Sequence, residues 1–124
     1  MQYEFDSNLP IYIQIIEEIK RQIVYGERRP GEKIESVREL ANIMGVNPNT
    51  VQRAFSELER EGLLKAERTT GRFITIDDGL IEKIKRDSVK QNVTDFIKLM
   101  YKSGFSKEGI LDTLKKFLEE YGDE

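Results

Sequence analysis

Asn49, Thr50, Gln52, Arg53 and Ser56 crowd into one short stretch of the chain, within VNPNTVQRAFSELEREGLL at residues 46–64. Their chemistry is that of recognition. An Asn or Gln amide offers a donor and an acceptor side by side, which matches the edge of adenine. An Arg guanidinium matches guanine or a phosphate. Bond-making chemistry has no comparable support. The sequence holds no cysteine and no histidine, which removes thiol nucleophiles, disulfides, the usual zinc ligands and the commonest acid–base residue. Its 23 Asp and Glu residues are scattered over amphipathic segments and read as solvated faces rather than as a catalytic pair. The expectation is a binding protein, not an enzyme, with no cofactor and no metal.

Such side chains act only if something holds them outward together, and the spacing of their apolar neighbours does this. Val51, Ala54, Phe55 and Leu58 recur at i, i+3, i+4 and i+7, the mark of a helix burying one face. Asn47 is suited to cap that helix, Pro48 to its first position and Gly62 to its end. Ahead of it, Ser36-Val37-Arg38-Glu39 has the form of a capping box, and Val37, Leu40, Ala41 and Met44 repeat the same spacing up to Gly45. Val46 then begins a tight turn.

An earlier helix is predicted from Pro10 to Tyr25. Ile15, Ile16, Ile19 and Ile23 form its apolar stripe, Glu17, Glu18, Lys20 and Arg21 lie opposite, and Gly26 follows. The connector ERRPGEK leads to a short strand through Lys33 and Ile34. Beyond Gly62, LLKAER and RFITI have strand character, and Thr69-Thr70-Gly71 between them is of hairpin size, with Gly71 free to take positive φ. Helix, helix, turn, helix and hairpin is the order of a winged helix-turn-helix. Recognition helices of that kind enter the major groove by their N-terminal half, where free N–H groups also favour phosphate. The fold class expected is mostly α with a small β-hairpin: a winged helix-turn-helix at 1–76 followed by a two-helix tail at 77–124.

At 124 residues, 38% hydrophobic and 35% charged, the chain has the balance of one small globular domain with an appendage. No apolar run reaches the roughly 20 residues of a membrane helix. MQYEFDSNLPIY lacks the basic start and apolar core of a secretion signal, so a cytoplasmic protein without membrane contact is expected. The net charge of −3 runs against the basic footprint of most nucleic-acid binders. A local patch suffices for contact, however, and KAERTTGR sets Lys65, Arg68 and Arg72 against Glu67 alone. Arg38, near the positive end of its helix, opposes the local dipole, a placement that makes sense beside a phosphate.

PIYIQIIEEIKRQIVYG, PGEKIESVRELANIMGVNPNTVQRAFSELEREGLL and the following GRFI resemble the DNA-binding domain of the GntR family of bacterial transcription regulators, over about residues 9–76. The short helical tail is similar to that of the YtrA-type subfamily. The resemblance implies a sequence-specific regulator, a repressor on a palindromic operator of double-stranded DNA. It places DNA contacts at Arg38, Asn47, Asn49, Thr50 and Gln52, with Arg53 beside them. It places the wing at the hairpin, with Thr69, Thr70 and Gly71 at its tip and Arg68 and Arg72 flanking it. Two departures stand out. Ile34-Glu35-Ser36 replaces the family's Leu-Pro-Ser, and Thr69 replaces the first glycine of the wing, which limits how closely that backbone approaches DNA.

In the tail, Ile81, Ile84, Val93, Phe96, Ile97 and Met100 mark one long or slightly broken helix, and Ser106 caps a last one. That last helix carries Ile110, Leu111, Leu114, Phe117, Leu118 and Tyr121, more apolar surface than a helical hairpin can cover, which points to a homodimer. Packing of the tail on its own winged domain is the alternative. A small-molecule effector is compatible with the chain but unidentified. Two other functions stay open: a winged-helix module for protein assembly, and a small-molecule sensor with secondary DNA binding.

Overall fold

The computed structural model describes residues 3–122, with seven elements in the order α1 (Ile11–Val24), α2 (Val37–Met44), α3 (Pro48–Arg60), β1 (Leu64–Glu67), β2 (Gly71–Ile74), α4 (Asp78–Lys102) and α5 (Lys107–Tyr121). The chain divides into two compact units, the first ending at Lys85 and the second beginning at Arg86.

The first unit is a winged helix-turn-helix around one core. α1 and α2 both pack on α3, and the buried cluster draws on all three, through Ile15, Ile19, Leu40, Val51, Phe55 and Leu58 among others. Local chemistry sets the ends of these helices. Glu39 N–H donates to Ser36 Oγ and Ser36 N–H to Glu39 Oε1, both at 3.1 Å, so the capping box forms as the spacing predicts. Gly45 closes α2 in the left-handed conformation at φ 69°, and Val46 N–H donates to Ala41 O at 3.0 Å. Two residues later α3 begins, with Asn47 Oδ1 accepting from Asn49 N–H at 2.8 Å.

β1 and β2 form an antiparallel hairpin in which Leu64 faces Ile74 and Glu67 faces Gly71. Its loop is therefore Arg68-Thr69-Thr70, one residue earlier than the tip expected from sequence, and Gly71 opens β2 at φ 117°. The strand expected at Lys33 and Ile34 is a single bridge, Lys33 to Phe73. It is extended by Ile34 N–H donating to Arg72 O (3.0 Å) and Ile74 N–H to Glu32 O (2.8 Å).

Among the described residues one polar side chain is buried. Gln22 is 6% exposed; its Nε2 donates to Glu18 at 2.9 Å and its Oε1 accepts from Arg28, which in turn donates to Glu35 at 2.6 Å. This chain of bonds joins α1 to the connector and to the segment before α2. Burial pushes the Glu35 carboxyl up, but hydrogen bonding to Arg28 and to its own backbone, with the charge of Arg28, holds it below the usual glutamate value. The first turns of α4 also belong to this core: Leu80, Ile81 and Ile84 pack against it, and Asp77 Oδ1 accepts from Leu80 N–H at 3.1 Å at the helix start.

The second unit contains the rest of α4 and all of α5, joined by a turn in which Phe105 N–H donates to Met100 O at 3.1 Å. Ser106 Oγ caps α5 by accepting from Gly109 N–H at 3.1 Å, as its sequence position predicts. The two helices bury little against each other. Among the described residues of this unit only Ile110 is a buried apolar side chain, at 8% exposure. On α4, Val89, Val93 and Phe96 stand at i, i+4 and i+7 on one face, and all three are exposed.

Candidate nucleic-acid interface

On α3 the buried residues Val51, Ala54, Phe55 and Leu58 turn a second stripe to solvent. Asn49, Gln52, Arg53 and Ser56 are all exposed and stand at i, i+3, i+4 and i+7, on one face of the helix. Gln52 Nε2 donates to Ser56 Oγ at 3.3 Å along this face. Thr50 is half-buried at its edge. Asn47 is exposed, but its side-chain oxygen is occupied by the cap, which leaves its amide N–H groups outward.

Among the described residues Arg53 takes no part in an ion pair. Glu57, one turn further along α3, bonds Arg60 instead, at 2.5 Å. The Arg53 guanidinium lies over the ring of Tyr12 on α1, its Cζ 3.8 Å from the ring centroid. Arg38, at the second position of α2, is exposed and likewise forms none of the ion pairs among the described residues; nor do Lys65 and Arg68 on the hairpin.

Arg72 behaves differently. Although it follows the wing tip in sequence, it is half-buried, bonds Glu59 near the end of α3 and lies 5.2 Å from the ring centroid of Phe55. It fastens β2 to α3, while Arg68, Thr69, Thr70 and Gly71 remain exposed. At Gly71 a Cβ would come within 2.9 Å of Lys33 Cε, so the hairpin is held close to the segment before α2.

Several acidic residues of the first unit are held in ion pairs. Glu18 and Glu27 are engaged by Arg21, Glu35 by Arg28, Glu57 by Arg60, Glu59 by Arg72 and Glu61 by Lys20. Arg38, Arg53, Lys65 and Arg68, by contrast, form none of the ion pairs among the described residues. Hydrogen bonding to Arg21 keeps Glu18 ionised below the usual carboxylate range, and hydrogen bonding to Arg60 does the same for Glu57. A polar hollow of about 550 Å³ beside Gln22, Arg28, Lys33 and Glu35 has its Arg28 and Glu35 charges already paired. Among the described residues no group of His, Cys, Asp or Glu is arranged to hold a metal ion, and no helix is long and apolar enough to cross a membrane.

Sequence reasoning missed Tyr12 and Glu59. Tyr12 had a signal, since it stands three residues before Ile15 at the head of the apolar stripe of α1. Glu59 had none, because nothing local ties it to Arg72.

The family described as bacterial regulatory proteins, gntR family, matches residues 11–74. The HTH-type transcriptional repressor YtrA of Bacillus subtilis (strain 168) is 43% identical over 95 residues, covering 72% of this chain and 72% of that protein. A solved GntR family transcriptional regulator from Listeria monocytogenes superposes with a TM-score of 0.84 at 44% identity, over 90% of this chain and 98% of that one. AraR(DBD), crystallised in complex with operator ORX1, matches with a TM-score of 0.55 at 32% identity, over 60% of this chain and 95% of that one.

Proposed function

Because the chain belongs to the gntR family of bacterial regulatory proteins, we propose that it is a cytoplasmic, homodimeric repressor that reads a palindromic operator with the N-terminal half of α3. The observation that carries the reading is the stripe Asn49, Gln52, Arg53 and Ser56, a donor-rich face on a capped helix backed by α2. Similarity to AraR(DBD), which was crystallised on an operator, supports DNA as the partner, and similarity to the repressor YtrA supports repression. In this reading Asn49 and Gln52 address base edges, with Thr50 beside them. Arg38, the outward amide of Asn47 and the start of α3 take backbone phosphates. Arg68, Thr69, Thr70 and Gly71 form the wing that approaches the minor groove, and Arg72 serves it indirectly by anchoring β2 to α3.

Pairing of two copies supplies the second half-site. Support comes from the apolar surface of α5, where Leu111, Leu114, Phe117, Leu118 and Tyr121 are exposed; Ile110 lies inward and contributes to the unit itself.

Selection of duplexes from a random pool by the purified protein tests the reading as a whole. A palindromic sequence should emerge, with half-sites about one helical turn apart or a multiple of it. Arg53→Ala then separates two kinds of contact. A phosphate contact weakens binding on every sequence and shallows the salt dependence by about one unit. A guanine contact costs about 1–3 kcal/mol at one operator position. A pool that yields no enriched sequence at modest ionic strength, or Gln52→Ala and Arg53→Ala proteins that bind as the wild type does, would refute it. The latter result would favour a protein-assembly module.

A further inference from the structure

Arg53 stands out among the exposed cations of the first unit because it forms none of the ion pairs among the described residues yet is not free in space. Its guanidinium is laid on the Tyr12 ring at 3.8 Å, and Tyr12 is itself half-buried and packed against the core. We infer that Tyr12 is a positioning residue for DNA recognition: its ring holds Arg53 flat, so that the N–H groups around the guanidinium rim are presented to the duplex in a fixed plane. This rests on the DNA-binding reading above and deepens it.

The physical argument has three parts. A stacked guanidinium uses its face for the ring and keeps its in-plane donors unspent, which a lysine ammonium cannot do. Bidentate pairing with guanine or phosphate requires that plane to be set, and a freely rotating arginine would lose its rotamer freedom on binding. Tyr12 is well placed to set it, because it stands on α1, which packs directly against α3 through the core. The departure of Glu57 to Arg60 completes the arrangement, since a carboxylate on Arg53 would occupy the donors that DNA needs.

The test is a double-mutant cycle on the duplex most enriched by the wild type from a random pool, read by fluorescence anisotropy. Tyr12→Leu should weaken binding roughly two- to fivefold, Tyr12→Phe should restore it, and Arg53→Lys should lose as much as Tyr12→Leu. In an Arg53→Ala background Tyr12→Leu should change nothing further. A scaffold role for Tyr12 would instead weaken both backgrounds alike, and that result overturns the inference, as does tighter or unchanged binding by Tyr12→Leu. Should Tyr12→Leu fail to fold, the wild type still decides: the δ-protons of Arg53 must show an upfield ring-current shift that Tyr12→Phe preserves, and a random-coil shift overturns the inference. An Arg53→Ala protein that binds the enriched duplex like wild type removes the role of Tyr12 and leaves the regulator standing; an empty selection removes both.

Discussion

Asn47 divides its side chain between two tasks, and substitution can separate them. Its oxygen caps α3 through Asn49 N–H at 2.8 Å, while its own N–H groups take no part in that cap. Asn47→Ala should therefore cost about 1 kcal/mol of folding stability. Asn47→Asp keeps the acceptor and should hold that stability in urea titration, yet weaken operator binding by setting a carboxylate where phosphate is expected. Equal stability loss in both variants would refute the division. Glu39 gives a second test. Hydrogen bonding from the Ser36 backbone N–H, then from its side chain, lowers the folded carboxyl below its ordinary 4.5. The resulting stabilisation is complete above that pH and is lost as pH falls through the depressed folded value. Glu39→Gln should flatten this acid limb in unfolding curves taken downward from neutral pH; an unchanged limb would count against the box. Both features were legible in sequence because each partner is two or three residues away. Arg72 and Glu59 are 13 residues apart, and Tyr12 and Arg53 stand on different helices, so only the packed chain brings either pair together.

The helices were readable as elements for the same local reason: Ser36, Asn47 and Ser106 each cap where expected, and Gly45 stops α2. What periodicity could not say is which body an apolar stripe faces. Ile81 and Ile84 look like the start of a tail and instead complete the core of the first unit. The hairpin was displaced by one residue because a three-residue loop and its neighbour in register share the same turn-forming composition. Gly71 now bears most on the wing, with φ at 117° and Lys33 Cε 2.9 Å from the place of a Cβ. The lysine can swing aside, but the backbone cannot relax so easily. Gly71→Ala should cost roughly 1–2 kcal/mol, with faster amide exchange in β1 and β2 and little change in α1–α3. Loss spread evenly over the first unit would contradict a local role.

On the scale of the whole molecule, the net charge of −3 describes an average that the binding partner never meets. In the first unit Lys20, Arg21, Arg28, Arg60 and Arg72 are tied to carboxylates, while Arg38, Arg53, Lys65 and Arg68 form none of the ion pairs among the described residues. In the second unit Ile110 is the only buried apolar side chain among the described residues, and Phe117 is 61% and Tyr121 76% exposed. Leu114→Glu combined with Leu118→Glu should give a monomer in sedimentation while leaving thermal unfolding of the first unit unchanged. Operator affinity should fall by well over tenfold, since burial of each such leucine is worth roughly 1.5–3 kcal/mol to the pair. A double variant that remains dimeric would move the interface elsewhere.

That bare surface on α5 has a consequence for gene control. If the reading head works only in twos, and the twos form by collision, then below the pairing constant the active species grows with the square of the protein supplied. Modest changes in synthesis or dilution by cell growth would then be felt at the promoter as much larger ones. A cell could relieve repression simply by making less of this chain, with no signal molecule required.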